Sequence, residues 1–496
     1  MKNFFKFTPP KEDKTFRIKK STAVPTLSKD MAISSKLNDN VENLTKLLHF
    51  PLSNDVQFRF MDIHINNKTY NSLLISYDGL VDSDLISDYI IEQLMKPHTF
   101  EIKQESVIKS KNEINLKDTI AGSILAETQI SFAEKYEEVI DSILHGDCAL
   151  FVDSLNLAFI CDVKKIPGRS VTKAENEMNL RGPSEGFVES FRINTALIRK
   201  FVKDENLIFE SAEVGIQSKT RCAIAYISTI TNDSIIDEVR KRINSIEVDY
   251  LLDSGQLEQL IEDKTFLVDP LILSTERPDK VASHLTEGRV AIIVEGSSNV
   301  LIVPAVFSDF TQSSEDSYVR FPYSLLLKIF RFPAIFFAVF LPGIYIAICN
   351  FHQEMIPTDL LFAIAGTREK VPFTMLLELL IMEVAFEIIR EASIRTPAPV
   401  GPTLGIVGTL ILGQAIVSAN IVSPILVIIV ALTGISTFTV ANFSLNYSFR
   451  ILRFYYIFLG GFFGFFRNCN RYFRTSLLTN YRNFFWSTVF NTFFST

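Results

Sequence analysis

The stretch TPAPVGPTLGIVGTLILGQAIVSANIVSPILVIIVALTGISTFTVANFSLNYSF (396–449) holds 54 residues without a Lys, Arg, Asp or Glu. A run that long and that apolar belongs in a bilayer, and it is long enough to cross twice, with a hinge at Asn420. Immediately upstream, VPFTMLLELLIMEVAFEIIREA (371–392) predicts one apolar helix crowded with Glu378, Glu383, Glu387, Arg390 and Glu391. Ionisable groups are costly in lipid, so this helix is expected to face protein, a cavity or a pore. Before both, FPAIFFAVFLPGIYIAICNF (332–351) is uncharged, with Pro342 and Gly343 as interruptions that neighbouring helices can reseal. After them, FYYIFLGGFFGFF (454–466) begins a further span. A membrane domain of four to six helices is expected over 325–466.

The rest of the 496-residue chain is charged and soluble in character, long enough for two or three domains. Residues 1–38 read as a disordered, basic N-terminal segment. The first residues lack an apolar signal-peptide core, so the large N-terminal part is expected on the cytoplasmic side. FRFMDIHI (58–65) and SLLISYDGLV (72–81) predict strands, followed by a helix over 82–94, and CALFVDSLNLAFICDV (148–163) predicts a hairpin. These make a first soluble subdomain over 40–165. A second, over 170–310, is expected from a helix at 187–203, a strand at CAIAYIST (222–229), helices at 234–246 and 256–262, and two strands in RVAIIVEGSSNVLIVPAVF (289–307). The fold class expected is α/β, as two small mixed α/β subdomains followed by an all-α polytopic membrane domain.

The net charge of −7 gives no sign of nucleic-acid binding. Five scattered cysteines form no CxxC and read as reduced, structural thiols. No Ser/His/Asp or Cys/His arrangement and no zinc spacing is present, so neither an enzyme nor a cofactor is expected. RGPSEGF (181–187) precedes a helix and is a weak candidate for an anion, lacking the strand and the Lys-Ser/Thr of a phosphate loop; a structural turn is the better reading. TERPD (275–279) reads as a capped loop.

The candidate pore or gating residues are Glu383, Val384, Glu387, Arg390 and Glu391. Glu383, Glu387 and Glu391 follow at intervals of four and share a helix face. That acidic face is expected to line a cation path, with the apolar turn at Val384 as a dewetting constriction. Placing the helix along the interface with its acids in water is the plainer alternative. Gly405, Gly408 and Gly413 are candidates for close helix packing.

RGPSEGFVESFRINTALIRK (181–200), STERPDKVASHLTEGRVAIIVEGS (274–297), IPTDLLFAIAGTREKVPF (356–373) and LIMEVAFEIIREASIRTPAPVGPTLGIVGTLILGQAIVSANIVSP (380–424) together resemble the A-subunit family of bacterial spore germinant receptors. The resemblance covers about 170–466, in order and spacing. It implies a multi-pass protein of the spore inner membrane with its soluble part facing the core. It also implies a transporter-like B subunit and a lipoprotein C subunit as partners. Homo-oligomers, as pentamers, would form a nutrient-gated cation channel whose opening triggers germination. A paralogous A-type subunit that amplifies ion release downstream, and a secondary transporter, are the alternatives; no inverted repeat of the spans supports the transporter.

Two departures from the family pattern stand out. PAPVGPT (397–403) differs slightly, and Pro402 stiffens that helix start. The family's closing Gly-x-Pro-Tyr…Pro segment is missing, and 467–496 reads as an aberrant, frameshifted tail. Read one base later, the codons of Arg467–Phe473 permit Gly-Ile-Ala-Ile-Gly-Ile. Those from Trp486 permit Gly-Val-Pro-Tyr and, two residues on, Pro-Phe.

Overall fold

The computed structural model describes residues 30–65, 68–96, 116–125, 130–164, 174, 177, 179, 181–263, 268–395 and 413–482. The chain forms two compact units. One comprises 1–179, 183–262 and 274–304; the other comprises 180–182, 263–273 and 305–496.

The first unit carries two five-stranded sheets. In the first sheet, helix α1 (Leu37–Leu47) precedes β1 (Val56–Ile65) and β2 (Lys68–Tyr77), and β3 (Ile130–Ala133), helix α2 (Tyr136–Leu144), β4 (Cys148–Val152) and β5 (Ala158–Cys161) follow. The strand order is β1-β2-β4-β5-β3, antiparallel at every pairing. The second sheet is preceded by helix α3 (Phe191–Phe201). Its strands are β6 (Leu207–Val214), β7 (Thr220–Ile227), β8 (Leu273–Thr275), β9 (Val290–Val294) and β10 (Val300–Val303). Helices α4 (Asp233–Asn244), α5 (Ser254–Ile261) and α6 (Pro278–Thr286) lie between them in sequence. The order β6-β7-β9-β10-β8 repeats that of the first sheet.

The α/β expectation is corrected in one respect. Strands adjacent in sequence pair as hairpins (β1–β2, β4–β5, β6–β7, β9–β10), and in the second sheet the β6–β7, β7–β9 and β9–β10 pairings are antiparallel. Parallel neighbours need a crossover helix, whereas these connections are short turns, so the layers are those of α+β subdomains. Each sheet buries a face of branched aliphatics: β4 and β5 are buried throughout, as are β9 and β10.

A buried arginine joins the subdomains. Arg199 of α3 is 1% exposed and donates from Nε and Nη2 to Asp55 at 3.1 and 2.6 Å. Nη1 and Nη2 also donate to the carbonyls of Asp204 and Leu207, both at 2.8 Å. Its guanidinium lies 4.4 Å from the centre of the Tyr77 ring and 5.2 Å from that of Phe209. Burial pushes the Tyr77 hydroxyl well above its ordinary value, so the ring stays neutral beneath the cation.

RGPSEGF and TERPD prove to be halves of one structural lock. Arg277 pairs with Asp279 at 2.8 Å and donates to the carbonyls of Pro183 and Glu177. Thr275 donates to the Glu177 carboxylate, and the N–H of Phe187 donates to the carbonyl of Glu276. The loop is thereby spent on structure.

Since both sheets bury strands of branched aliphatics within this span, residues 40–310 expressed alone are expected to be soluble, with a mixed α/β circular dichroism spectrum. Aggregation under every condition tried would show that they need the helical unit.

The second unit is helical. Helix α7 (Phe321–Phe351) is long and apolar enough to cross a membrane, with a mean hydropathy of 2.2 in its most apolar window. Then come α8 (Thr358–Arg368), α9 (Met375–Arg395), α10 (Pro424–Phe438) and α11 (Phe443–Arg482). Helix α11 breaks at Gly464, which takes φ 70°. Asn420 takes φ 55° in the turn before α10, a left-handed position that Asn tolerates, at the expected hinge. The core is aliphatic, from Ile346 and Cys349 of α7 to Leu379 and Met382 of α9, Leu426 and Val430 of α10, and Ile457 of α11.

Candidate functional site in the helical unit

Helix α9 buries its acids among neighbouring helices. Glu383 is fully buried, and its Oε2 accepts from Nη1 of Arg453 on α11 at 2.9 Å. Arg453 is 1% exposed and holds two further helices: Nε donates to the carbonyl of Ala338 on α7 at 2.9 Å, and Nη2 to the hydroxyl of Thr437 on α10 at 2.8 Å. One side chain therefore ties α7, α9, α10 and α11 together.

A turn further along α9, Glu387 accepts from Nη2 of Arg450, also on α11. Its second oxygen lies 3.8 Å from Nη1 of Arg390 and 3.9 Å from Nη1 of Arg453. Arg390 packs 5.7 Å from the centre of the Phe386 ring and 5.1 Å from that of Phe438. At the other end of α9, the buried Glu378 accepts the backbone N–H of Ser423 at 2.6 Å, capping α10, and lies 3.6 Å from Arg368 of α8. A carboxylate at a helix N-terminus meets its unsatisfied N–H groups and the positive end of its dipole.

The structure thus brings Glu383, Glu387 and Arg390 together, whereas Val384 and Glu391 are exposed. Val384 is 48% exposed, with Leu377 and Ile388 on the same outward stripe, and Glu391 is exposed. The face expected to carry three acids toward an ion path instead turns the first two inward. They are neutralised inside the unit because a bare carboxylate in an apolar interior is far costlier than a paired one.

Arg450 and Arg453 were missed from sequence, as were Thr437 and the Ser423 cap. The signal for the arginines was present. They are the only charges between Thr396 and Phe466, three residues apart, and so required acidic partners.

Of the packing glycines, Gly405 and Gly408 lie outside the described residues. A Cβ on Gly413 would meet nothing within 4 Å among the described residues, so it packs against no helix there. Close approach occurs elsewhere. A Cβ on Gly343 would lie 2.7 Å from the carbonyl oxygen of Tyr456, and one on Gly434 would lie 2.6 Å from the Phe386 ring. These two let α7 meet α11 and α10 meet α9 at the level of the ionic cluster.

Comparison with known proteins agrees with the resemblance. The uncharacterized membrane protein YfkQ of Bacillus subtilis (strain 168) is 38% identical over 440 residues, spanning 88% of this chain and 82% of that protein. Spore germination protein KA of the same strain is 39% identical over 435 residues, spanning 88% and 77%. The crystal structure of the N-terminal domain of the A subunit of the Bacillus megaterium spore germinant receptor GerK3 is 32% identical. It covers 56% of this chain and 98% of that one, with a TM-score of 0.41. The family described as Bacillus/Clostridium GerA spore germination protein matches residues 42–479, and the chain belongs to that family.

Proposed function

We propose that this protein is the A subunit of a nutrient germinant receptor, and that copies of it, five in a ring, assemble into a nutrient-gated cation channel in the spore inner membrane. Its helical unit spans the membrane several times, with the soluble unit on the core side. A transporter-like B subunit senses the nutrient, and a lipoprotein C subunit completes the receptor. The protein catalyses no reaction; it passes ions.

The observation that carries this reading is the division of labour on α9. Its inner face holds the unit together through Glu378, Glu383 and Glu387, while Leu377, Val384 and Ile388 are exposed among the described residues. An apolar ring of Val384 side chains with the acid of Glu391 nearby has the chemistry of a hydrophobic gate beside a cation-attracting ring.

The expected result is specific. Val384→Trp slows nutrient-triggered potassium release severalfold, and Val384→Ala makes dormant spores leak potassium. Both are read by flame photometry on spores in which immunoblotting shows normal subunit levels. Unchanged release in both variants removes α9 from the pore.

The ending of the chain belongs to the same proposal. A receptor subunit needs an apolar last span, whereas Arg467, Arg471 and Arg474 each cost about 2.5–3.5 kcal/mol near a bilayer centre. Resequencing the gene around the codon of Phe466 is expected to reveal a one-base shift. A clean read whose shifted frame meets a stop or a polar run ends that idea.

A further inference from the structure

Arg390 has hydrogen bonds left unmade where that is costly. Its side chain is nine-tenths buried, and neither Nη1 nor Nη2 finds an acceptor among the described residues. Oε1 of Glu387, also buried and without a donor, lies 3.8 Å away. Donor and acceptor face each other across a gap just too wide for a bond.

Among the described residues that pair with one another here, the charges do not balance. Glu383 and Glu387 face three guanidiniums, those of Arg390, Arg450 and Arg453. The chain has no Asp or Glu after Glu391, so nothing later in it supplies a further carboxylate. Arg453 is committed to Glu383, Ala338 and Thr437. That leaves two claimants for Glu387. Arg450 comes from α11 and holds the hydrogen bond, while Arg390 comes from α9 itself, three residues on from Glu387, and lies at ion-pair distance from it without a hydrogen bond.

We infer that Arg390 is a stand-in counter-ion for Glu387, which lets α11 swing away from α9 without stranding a buried charge. Arg453, tied to three helices, is the pivot. When the N-terminal end of α11 moves out and takes Arg450 with it, Arg390 closes the gap onto Glu387. Removing one partner of a buried pair is ordinarily severe because the other charge is left bare. A partner already on the same helix cancels most of that cost, so the contact can open and reseal. What the opening serves rests on the channel reading; the exchange of partners does not.

A double-mutant cycle on the full chain in detergent micelles tests this, read as thermal unfolding midpoints. Arg390→Gln and Arg450→Gln alone are each expected to lower the midpoint by only a few degrees, since one guanidinium remains. Together they are expected to lower it by at least about twice the sum of the two, because coupled neighbours are not additive. Arg390→Lys in the Arg450→Gln background restores the midpoint of Arg450→Gln alone. If the double Gln variant does not accumulate, accumulation of the Lys-rescued variant reads the same coupling. Additive shifts, or no rescue by Lys, overturn the inference. In spores, Arg450→Gln should hasten potassium release and Arg390→Gln should slow it. A coupled cycle with unchanged release upholds the stand-in and counts against the channel reading, whereas an additive cycle sinks the stand-in whatever the spores do.

Discussion

Arg453→Ala is expected to stop the full-length chain from accumulating. The substitution removes a side chain that reaches α7, α9 and α10 from α11. It strands the Glu383 carboxylate, which is fully buried, and frees the Ala338 carbonyl and the Thr437 hydroxyl of their donor. Breaking a buried pair from one side costs about 3–5 kcal/mol. Set against a typical stability of about 5–15 kcal/mol, that is enough to lose most of the folded population. Removing both charges should be far milder: Glu383→Leu with Arg453→Met leaves no bare ion and keeps the volume roughly constant. The readout is the monodisperse fraction on size-exclusion chromatography in detergent. Wild-type yield from Arg453→Ala, or equal loss from the single and double variants, would mean that the pair does not hold the helices together.

Arg199→Leu is expected to have the second-largest effect, in the soluble unit. The guanidinium donates twice to Asp55 and to two backbone carbonyls, and packs near the Tyr77 and Phe209 rings. Loss of the cation leaves Asp55 buried, with the Ser53 hydroxyl still donating to its other oxygen. The expected cost is again about 3–5 kcal/mol, which for a unit of this size lowers the melting midpoint by about 10 °C. Arg199→Lys should recover little, because an ammonium cannot present the planar fork to a carboxylate and two carbonyls at once. Differential scanning calorimetry of residues 40–310 reads this directly. A midpoint within a degree or two of wild type for Arg199→Leu would show that the subdomains are joined by apolar contact alone.

Much of the architecture was legible without coordinates. The strand at Val56–Ile65 lies where a strand was expected, since a half-buried strand writes its two faces into the sequence with period two; the β4–β5 hairpin also lies where it was expected, although both of its strands are buried throughout. The two strands around the EGSSN turn were read from continuous apolar runs, as both of their faces are covered. The strands at Ile130–Ala133 and Leu273–Thr275 were missed, being four and three residues long and too short to show a period. Leu207–Val214 was missed as well: its first half is buried and its second half alternates into solvent, so no single pattern runs its length.

The candidate site divides in the same way. Composition alone determined that α9 holds more ionisable groups than lipid permits and that they must be answered from somewhere. The spacing of Glu383, Glu387 and Arg390 put them on one side of a helix. Which way that side faces was decided by tertiary structure, because a helix shows its period in sequence but not its rotation about its own axis. The partners were decided there too. Arg453 lies 70 residues from Glu383, and only the packing of α11 against α9 brings them to 2.9 Å. The close approaches at Gly343 and Gly434 follow the same rule. A glycine in sequence permits contact, but the neighbour that arrives is chosen by the three-dimensional path of the chain.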